Sequence, residues 1–333
     1  MPVTIRDVAK AAGVSAMSVS KVLHGRGTNV RVSEETAALI RRTAEEMAYR
    51  PNALARSFRQ GRTKTLGLVW DSTPDLSGDT RYFSDLLDSA VKAAFARGYS
   101  VTLCPSLVGE GTDEAQADGR FDGVLLCRGF GADGANPVGR VPTVMFHLPP
   151  PGAERLVDHV CWDNEAAVGQ VVGHLAALGH RNLAFASDDR FGGTTELARR
   201  REIFVEACKG AGLGLDLLAW SDVADGFPHW WAKRPGATAL VCWSEQMALG
   251  VLRVATGLGV EIPRELSVAG FDSTAQSEMS FPRLTCARQP LRDMAARAIA
   301  MLVDRIEHGE RAPESVVFPS VLDVRESTAA PRR

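Results

Sequence analysis

Three tryptophans, Trp70, Trp162 and Trp243, each fall at or just past the end of a short apolar run that reads as a strand, beside Asp71, Asp163 and Ser244. An indole next to a polar group can stack on the C–H face of a ligand ring while its neighbour takes a hydroxyl. Core packing is the other reading of each tryptophan. Asp272 closes the run Ser267-Val268-Ala269-Gly270-Phe271 and can accept hydrogen bonds from vicinal hydroxyls. A second chemistry sits near the N-terminus, where Ala16, Met17, Ser20 and Lys21 share the outward face of a short predicted helix. Two apolar side chains can meet a thymine methyl, and an amine can donate to guanine O6/N7 or to a phosphate. For Met17 the alternative is core packing. Catalytic patterns are absent: there is no Walker loop, nucleophile elbow or metal-ligand cluster, and no Gly-x-Gly-x-x-Gly follows the first strand. His147, His159, His174 and His180 fall on separate elements without Ser or Cys partners, and His180 is expected to cap the end of its helix. The residues describe a binding protein rather than an enzyme, with no cofactor and no metal.

The elements that carry these groups divide the chain by charge. Residues 1–64 hold twelve Lys/Arg against five Asp/Glu, a balance of +7, whereas the remainder is −9. A basic arm on an acidic body points to a polyanion partner for the arm; a solvated charged surface is the other reading. The six cysteines are scattered without a Cys-x-x-Cys pair, which excludes a zinc cluster or disulfide framework and predicts buried free thiols. No apolar run reaches the ~18 residues that a membrane span needs. The polar first ten residues lack the apolar core of a signal peptide. The expected location is the cytoplasm.

Within the arm, Thr4 with Asp7 starts a helix carrying Ile5, Val8 and Ala9 inward. Gly13 suits a tight left-handed turn, and Ser15 caps a second helix, Ala16 to Leu23, with Val19, Val22 and Leu23 inward. Two short helices joined by a glycine turn are the helix-turn-helix unit, whose second helix reads the major groove. A third helix, capped by Ser33, runs to about Tyr49 with Ala37, Ile40, Ala44 and Met47 buried. The glycine-rich, basic loop 24–32 is a phosphate-contact candidate. From Thr65 onward, β-branched runs alternate with amphipathic helices in two series, which implies parallel sheets with helices on both faces, built twice. Ligands in such sheets bind beyond the carboxyl ends of the strands. The stretches 106–121 and 222–234 look short for the crossover helices expected there.

The run Val3-Thr4-Ile5-Arg6-Asp7-Val8-Ala9-Lys10-Ala11-Ala12-Gly13-Val14-Ser15 resembles the opening signature of the lactose-repressor (LacI) family of regulators, and Tyr49-Arg50-Pro51-Asn52-Ala53-Leu54-Ala55-Arg56-Ser57 resembles its hinge segment. His174 to Arg181, Ser267 to Asp272, Leu284-Thr285 and Arg288-Gln289-Pro290 resemble its effector-domain landmarks. The resemblance implies an α/β chain: an N-terminal all-α helix-turn-helix domain (1–50), a hinge helix and linker (51–64), and a two-lobed periplasmic-binding-protein-like domain of two parallel doubly wound sheets. Lobe one would be 65–161 plus 290–320, and lobe two 162–289 plus 321–328. It implies DNA contacts from Thr4, Ser15, Ala16, Met17, Ser18, Ser20, Lys21 and His24, and from Asn52, Ala55 and Phe58 in the hinge. Phe58 stands where the family has a minor-groove leucine wedge, a task that Phe can also perform; packing between two hinge helices is its alternative. The effector set would be Trp70, Asp71, Tyr82, Phe83, Trp162, Asp163, Arg200, Trp243 and Asp272, with Arg200 at the family's ligand-binding arginine because Phe204 and Ala207 follow at the expected spacing. The implied function is that of a repressor, a homodimer or tetramer on pseudo-palindromic double-stranded operator DNA, controlled by a sugar or related metabolite. The alternatives are a cytoplasmic ligand-binding protein, or a regulator answering to a nucleobase or a partner protein.

Overall fold

The computed structural model describes residues 3–24, 31–50, 61–70, 81–104, 119–127, 141–149, 152–153, 155–188, 195–233, 236–309 and 311–332, and omits the side chains of His24, Trp70 and Thr195. The chain falls into two compact units, Met1–Thr63 and Lys64–Arg333. In the first, helices α1 (Ile5–Ala11), α2 (Ala16–His24) and α3 (Glu34–Glu46) pack around Val8, Ala9, Ala12, Val19, Ile40 and Ala44. The start of α1 is a reciprocal capping box: the Thr4 backbone N–H donates to Asp7 Oδ2 at 2.8 Å while Asp7 N–H donates to Thr4 Oγ1 at 3.4 Å. Gly13 turns the chain at φ +64°, a conformation that costs other residues a Cβ clash. Ser15 Oγ then accepts from Ser18 N–H at 3.1 Å and caps α2.

The second unit contains two six-stranded sheets. The first is ordered β11-β5-β4-β3-β1-β2, from β1 (Thr65–Trp70), β2 (Ser100–Cys104), β3 (Gly123–Cys127), β4 (Thr143–Phe146), β5 (Asp158–Trp162) and β11 (Ser315–Phe318). The second repeats that order as β12-β10-β9-β8-β6-β7, from β6 (Asn182–Asp188), β7 (Gly214–Trp220), β8 (Ala239–Cys242), β9 (Ser267–Asp272), β10 (Thr285–Arg288) and β12 (Val321–Asp323). All pairs are parallel except β10 with β12. The central strands β3, β4, β5, β8 and β9 are buried along their whole length, as sheets covered on both faces require. Helices α4 (Arg81–Ala96) and α10 (Leu291–His308) pack together on the first sheet, and α5 (Asn164–Ala177) and α6 (Thr195–Gly210) on the second. The chain passes between the sheets after Trp162, after Arg288 and after Phe318.

Three readings need correction. Residues 222–234 are not a trimmed face: α7 (Val223–Ala232) is a helix capped by Asp222 and preceded by the unpredicted strand β7. Gly226 and Pro228 lower its helical propensity, and the glycine is explained by packing. A Cβ on Gly226 would stand 2.3 Å from the Trp220 ring, so glycine lets the helix close on an aromatic cluster of Trp220, Phe227, Trp230 and Trp231. His180 does not cap its helix; its ring pairs with Thr238 Oγ1 at 2.7 Å and Ala329 O at 2.9 Å. Arg181 takes the cap instead, donating to Ala176 O at 3.1 Å. The third predicted helix stops at Glu46, because Ala48 leaves the helix with φ +49°. Residues 105–118, where a short crossover was read, lie outside the described residues. All six cysteines are free and buried, and among the described residues no helix is long and apolar enough to cross a membrane.

Candidate functional site

In the N-terminal unit, α2 buries Val19 completely and turns Met17 outward, 62% exposed. Met17 is therefore not part of this core. Ala16, Ser18, Ser20 and Lys21 are half-buried on the same helix, and the hydroxyls of Ser15 and Ser18 lie 2.9 Å apart. The Thr4 hydroxyl is engaged with Asp7 Oδ2 at 2.7 Å, and that bond holds the Asp7 carboxyl below its ordinary value. The surface left for a partner is apolar at Ala16 and Met17 and cationic at Lys21, with hydroxyls between. The side chain of His24 and all of Asn52, Ala55 and Phe58 lie outside the described residues.

In the second unit, the carboxyl ends of the two sheets meet at a buried polar cluster. Arg200, 3% exposed on α6, is its centre. Its Nε donates to Asn164 Oδ1 at 3.0 Å and its Nη1 to the Trp243 carbonyl at 2.7 Å, while Nη2 stands 3.8 Å from Asp272 Oδ1. The guanidinium lies over the Trp162 ring at 4.9 Å and the Phe271 ring at 5.1 Å, which holds its plane across the junction of the sheets. Asp272 ends β9 at φ +84°, followed by Ser273 at +52°. Two consecutive side-chain-bearing residues in the left-handed region store backbone strain, a feature that gathers at functional sites. Burial pushes the Asp272 carboxyl up to about 6, against the pull of Arg200.

The predicted effector residues are not all alike. Trp162 is 1% exposed, packed edge-on against Phe271 and beneath Arg200, so it is a floor and presents no open face. Asp163 caps α5, accepting from Ala166 N–H at 2.9 Å. Trp243 is half-buried and packs against both apolar clusters. Tyr82 reaches His147, with Oη and Nε2 2.5 Å apart, and Phe83 lies edge-on to Tyr82. Asp71 and the Trp70 side chain are outside the described residues.

Sequence reasoning missed four members of the cluster. His147, Asn164 and Glu196 join Tyr82 to Arg200, and Glu245, 4% exposed, accepts from Thr274 N–H at 2.7 Å, Thr274 Oγ1 at 2.6 Å, Ser277 N–H at 3.2 Å and the Ser277 hydroxyl. Only Glu196 left a signal, one helical turn before Arg200 and so on its face. Beside the cluster lies a cavity of about 430 Å³ walled by Trp220 and Trp243 and edged by Asp188, Asp222, Gln246 and Gln276, a size suited to a small ligand. A larger trough of about 990 Å³ lies between α5, α6 and β7, and neither it nor the smaller cavity is lined by Arg200 or Asp272.

Residues 4–52 match the profile of the bacterial regulatory proteins, lacI family, and residues 172–328 that of the periplasmic binding protein-like domain. The chain is similar to the HTH-type transcriptional regulator DegA of Bacillus subtilis (strain 168), 28% identical over 99% of each chain. It is similar to the HTH-type transcriptional repressor PurR of Pectobacterium carotovorum, 29% identical over 98% of each. Its fold is that of the lac repressor dimer bound to operator and the anti-inducer ONPF, with a TM-score of 0.84 at 23% identity, covering 99% of this chain and 100% of the other. The transcriptional regulator CelR in its cellobiose complex gives a TM-score of 0.72 at 26% identity, covering 98% and 99%. With a DNA-binding unit that matches the lacI family of bacterial regulatory proteins and a two-lobed effector unit, the chain is a DNA-binding transcriptional regulator of the lacI type.

Proposed function

We propose that the chain represses transcription as a two-fold homodimer on a pseudo-palindromic operator, under the control of an uncharged sugar held between its lobes. The observation that carries the effector reading is the buried Arg200–Asp272 pair. The guanidinium has fixed donors, and among the described residues the carboxylate has only long contacts, 3.8 Å to Arg200 and 3.4 Å from Glu245 N–H. A polyol supplies the missing donors and accepts from the arginine. The buried carboxylates Glu196 and Glu245 both act on the Asp272 carboxyl, which has a single guanidinium, Arg200, beside it; this excess of buried negative charge disfavours an anionic effector such as a phosphorylated sugar. Trp243, half-buried where its carbonyl accepts from Arg200, suits a carbohydrate face. The cellobiose complex of a regulator 26% identical to this chain supports the same class. A nucleobase is the second reading, because Arg200 and Asp272 together complement a ring carbonyl beside a ring N–H.

Titrating cellobiose, common monosaccharides and free nucleobases against tryptophan fluorescence tests this reading. A saturable response to a saccharide supports it; a response to nucleobases alone overturns it. The homodimer is supported by apolar side chains left in water: Phe95 at 80% exposure with Val91 at 42% on α4, and Met279 at 84% near Phe281 at 94%. For the operator, Lys21→Ala is expected to weaken DNA binding and reduce the slope of log affinity against log salt by about 1, the signature of one lost phosphate contact. An unchanged slope with altered base preference would instead make Lys21 a base-reading side chain.

A further inference from the structure

Glu196 lies 8% exposed near the start of α6 and bonds to both lobes. Its Oε1 accepts from Leu148 N–H at 3.1 Å, in the segment that follows β4 of the first sheet. The same oxygen stands 3.5 Å from His147 Nδ1, a buried nitrogen with no hydrogen-bond partner among the described residues. Its Oε2 accepts from Asn164 Nδ2 at 2.8 Å, and Asn164 Oδ1 in turn takes Arg200 Nε at 3.0 Å. Tyr82 closes the chain of contacts on the far side of His147.

We propose that Glu196 is a positioning residue that senses closure of the lobes through Leu148 and His147 and orients Arg200 through Asn164. When the lobes part, Oε1 loses the Leu148 donor and the histidine. The carboxylate is then free to turn, the Asn164 amide loses the partner that fixes its orientation, and the Arg200 fork loses its anchor. Closing restores all three. The proposal rests on the reading that an effector binds at Arg200, and adds how that arginine is made ready.

Protons must influence this device, which separates it from passive packing. Among the described residues, the groups facing His147 are Tyr82 from α4, and Glu196 and Arg200 from α6; Asp272 lies beyond Arg200. Burial holds the His147 ring below its ordinary value, Arg200 adds to this, and Glu196 opposes it. In a parted cleft the ring would return to about 6.5. A group whose value is lowered by closing favours the open form when protonated. Closure is therefore complete above pH 6.5 and weakens below it, by at most about tenfold per pH unit for one proton. Asp272 works the other way: its carboxyl, raised to about 6, takes up a proton on closing and flattens the loss below pH 6.

The test uses the full chain without sugar or DNA, followed by small-angle scattering and by the Arg200 Nε–H resonance, assigned through its loss in Arg200→Lys. Between pH 8 and 5.5 the wild type is expected to expand, and the Arg200 signal to move with the same midpoint. His147→Gln keeps a donor for Glu196 and an acceptor for Tyr82 but cannot titrate, and should abolish the transition. Glu196→Gln should shift it to higher pH. Asp272→Asn should remove the flattening below pH 6. Thermal melts at pH 8 establish that each variant is folded. A transition that persists in His147→Gln, a midpoint unmoved in Glu196→Gln, or an Arg200 signal indifferent to the expansion would overturn the proposal. Because no sugar is present, a failed sugar titration leaves this result standing, and the reverse also holds.

Discussion

Replacing Arg200 with alanine is expected to destabilise the effector unit by about 3 kcal/mol or more near neutral pH and to abolish its response to effector. Removing one member of a buried charge pair strands the other, at a typical cost of about 3–5 kcal/mol. Here the stranded group is Asp272, whose side chain is 9% exposed. The Trp243 carbonyl and Asn164 Oδ1 lose their donors as well, and Trp162 and Phe271 lose the cation above their rings. The cost should depend on pH with a definite sign. The folded-state carboxyl of Asp272 is already raised to about 6 by burial, and loss of Arg200, which pulls it down, raises it further. A raised folded value means that acid stabilises the folded form. The penalty in Arg200→Ala is thus full above that value and shrinks as pH falls through it. Chemical denaturation at pH 7.5 and pH 5.5 measures the difference. Equal penalties at both pH values would mean that Asp272 is not the stranded charge. Arg200→Lys should recover part of the stability but not the effector response, since an ammonium cannot reach Asn164, Trp243 and Asp272 as a fork does.

What the sequence could and could not say about this site follows from where each signal lies. Strand runs such as Gly123–Cys127 and Ser267–Asp272 are continuous and apolar, and helix starts at Thr4, Ser15 and Ser33 carry capping side chains, so the fold class was legible. Strand β7 was not, because it is an edge strand of mixed exposure without a clean period, and α7 hides behind Gly226 and Pro228. Arg200 was found through spacing shared with a family, and Asp272 through its place at a strand end. The side chains that hold them were not found. Asn164 and Glu196 lie 36 and 4 residues from Arg200, and His147 lies in the segment after β4; only folding brings the three to one junction. The tryptophan reading shows the limit from the other side: strand ends do converge, but a residue at a strand end can close the floor, as Trp162 does, or wall a cavity, as Trp243 does. Period and propensity do not distinguish the two outcomes.

The N-terminal unit offers the sharpest separation of reading DNA from sensing an effector. Among the described residues its buried core is six side chains, of which Ile40, fully buried, is the largest. A unit of this size seldom holds more than about 3–5 kcal/mol of net stability. Truncating a buried isoleucine to alanine costs about 2–5 kcal/mol, comparable to the whole. Ile40→Ala is therefore expected to unfold α1 to α3 and abolish operator binding. The effector unit should be untouched, since residues 64–333 have separate cores of their own. The chain supplies its own reporter for this: all six tryptophans, at 70, 162, 220, 230, 231 and 243, belong to the effector unit. The variant should show the wild-type tryptophan unfolding transition and any wild-type sugar response, while losing helical ellipticity and mobility shift on DNA selected by the wild-type protein. Milder Ile40→Val, at about 0.5–1.5 kcal/mol, should leave the unit folded and binding weakened only slightly. Operator affinity within threefold of wild type in Ile40→Ala would show that the head draws its stability from outside its own core.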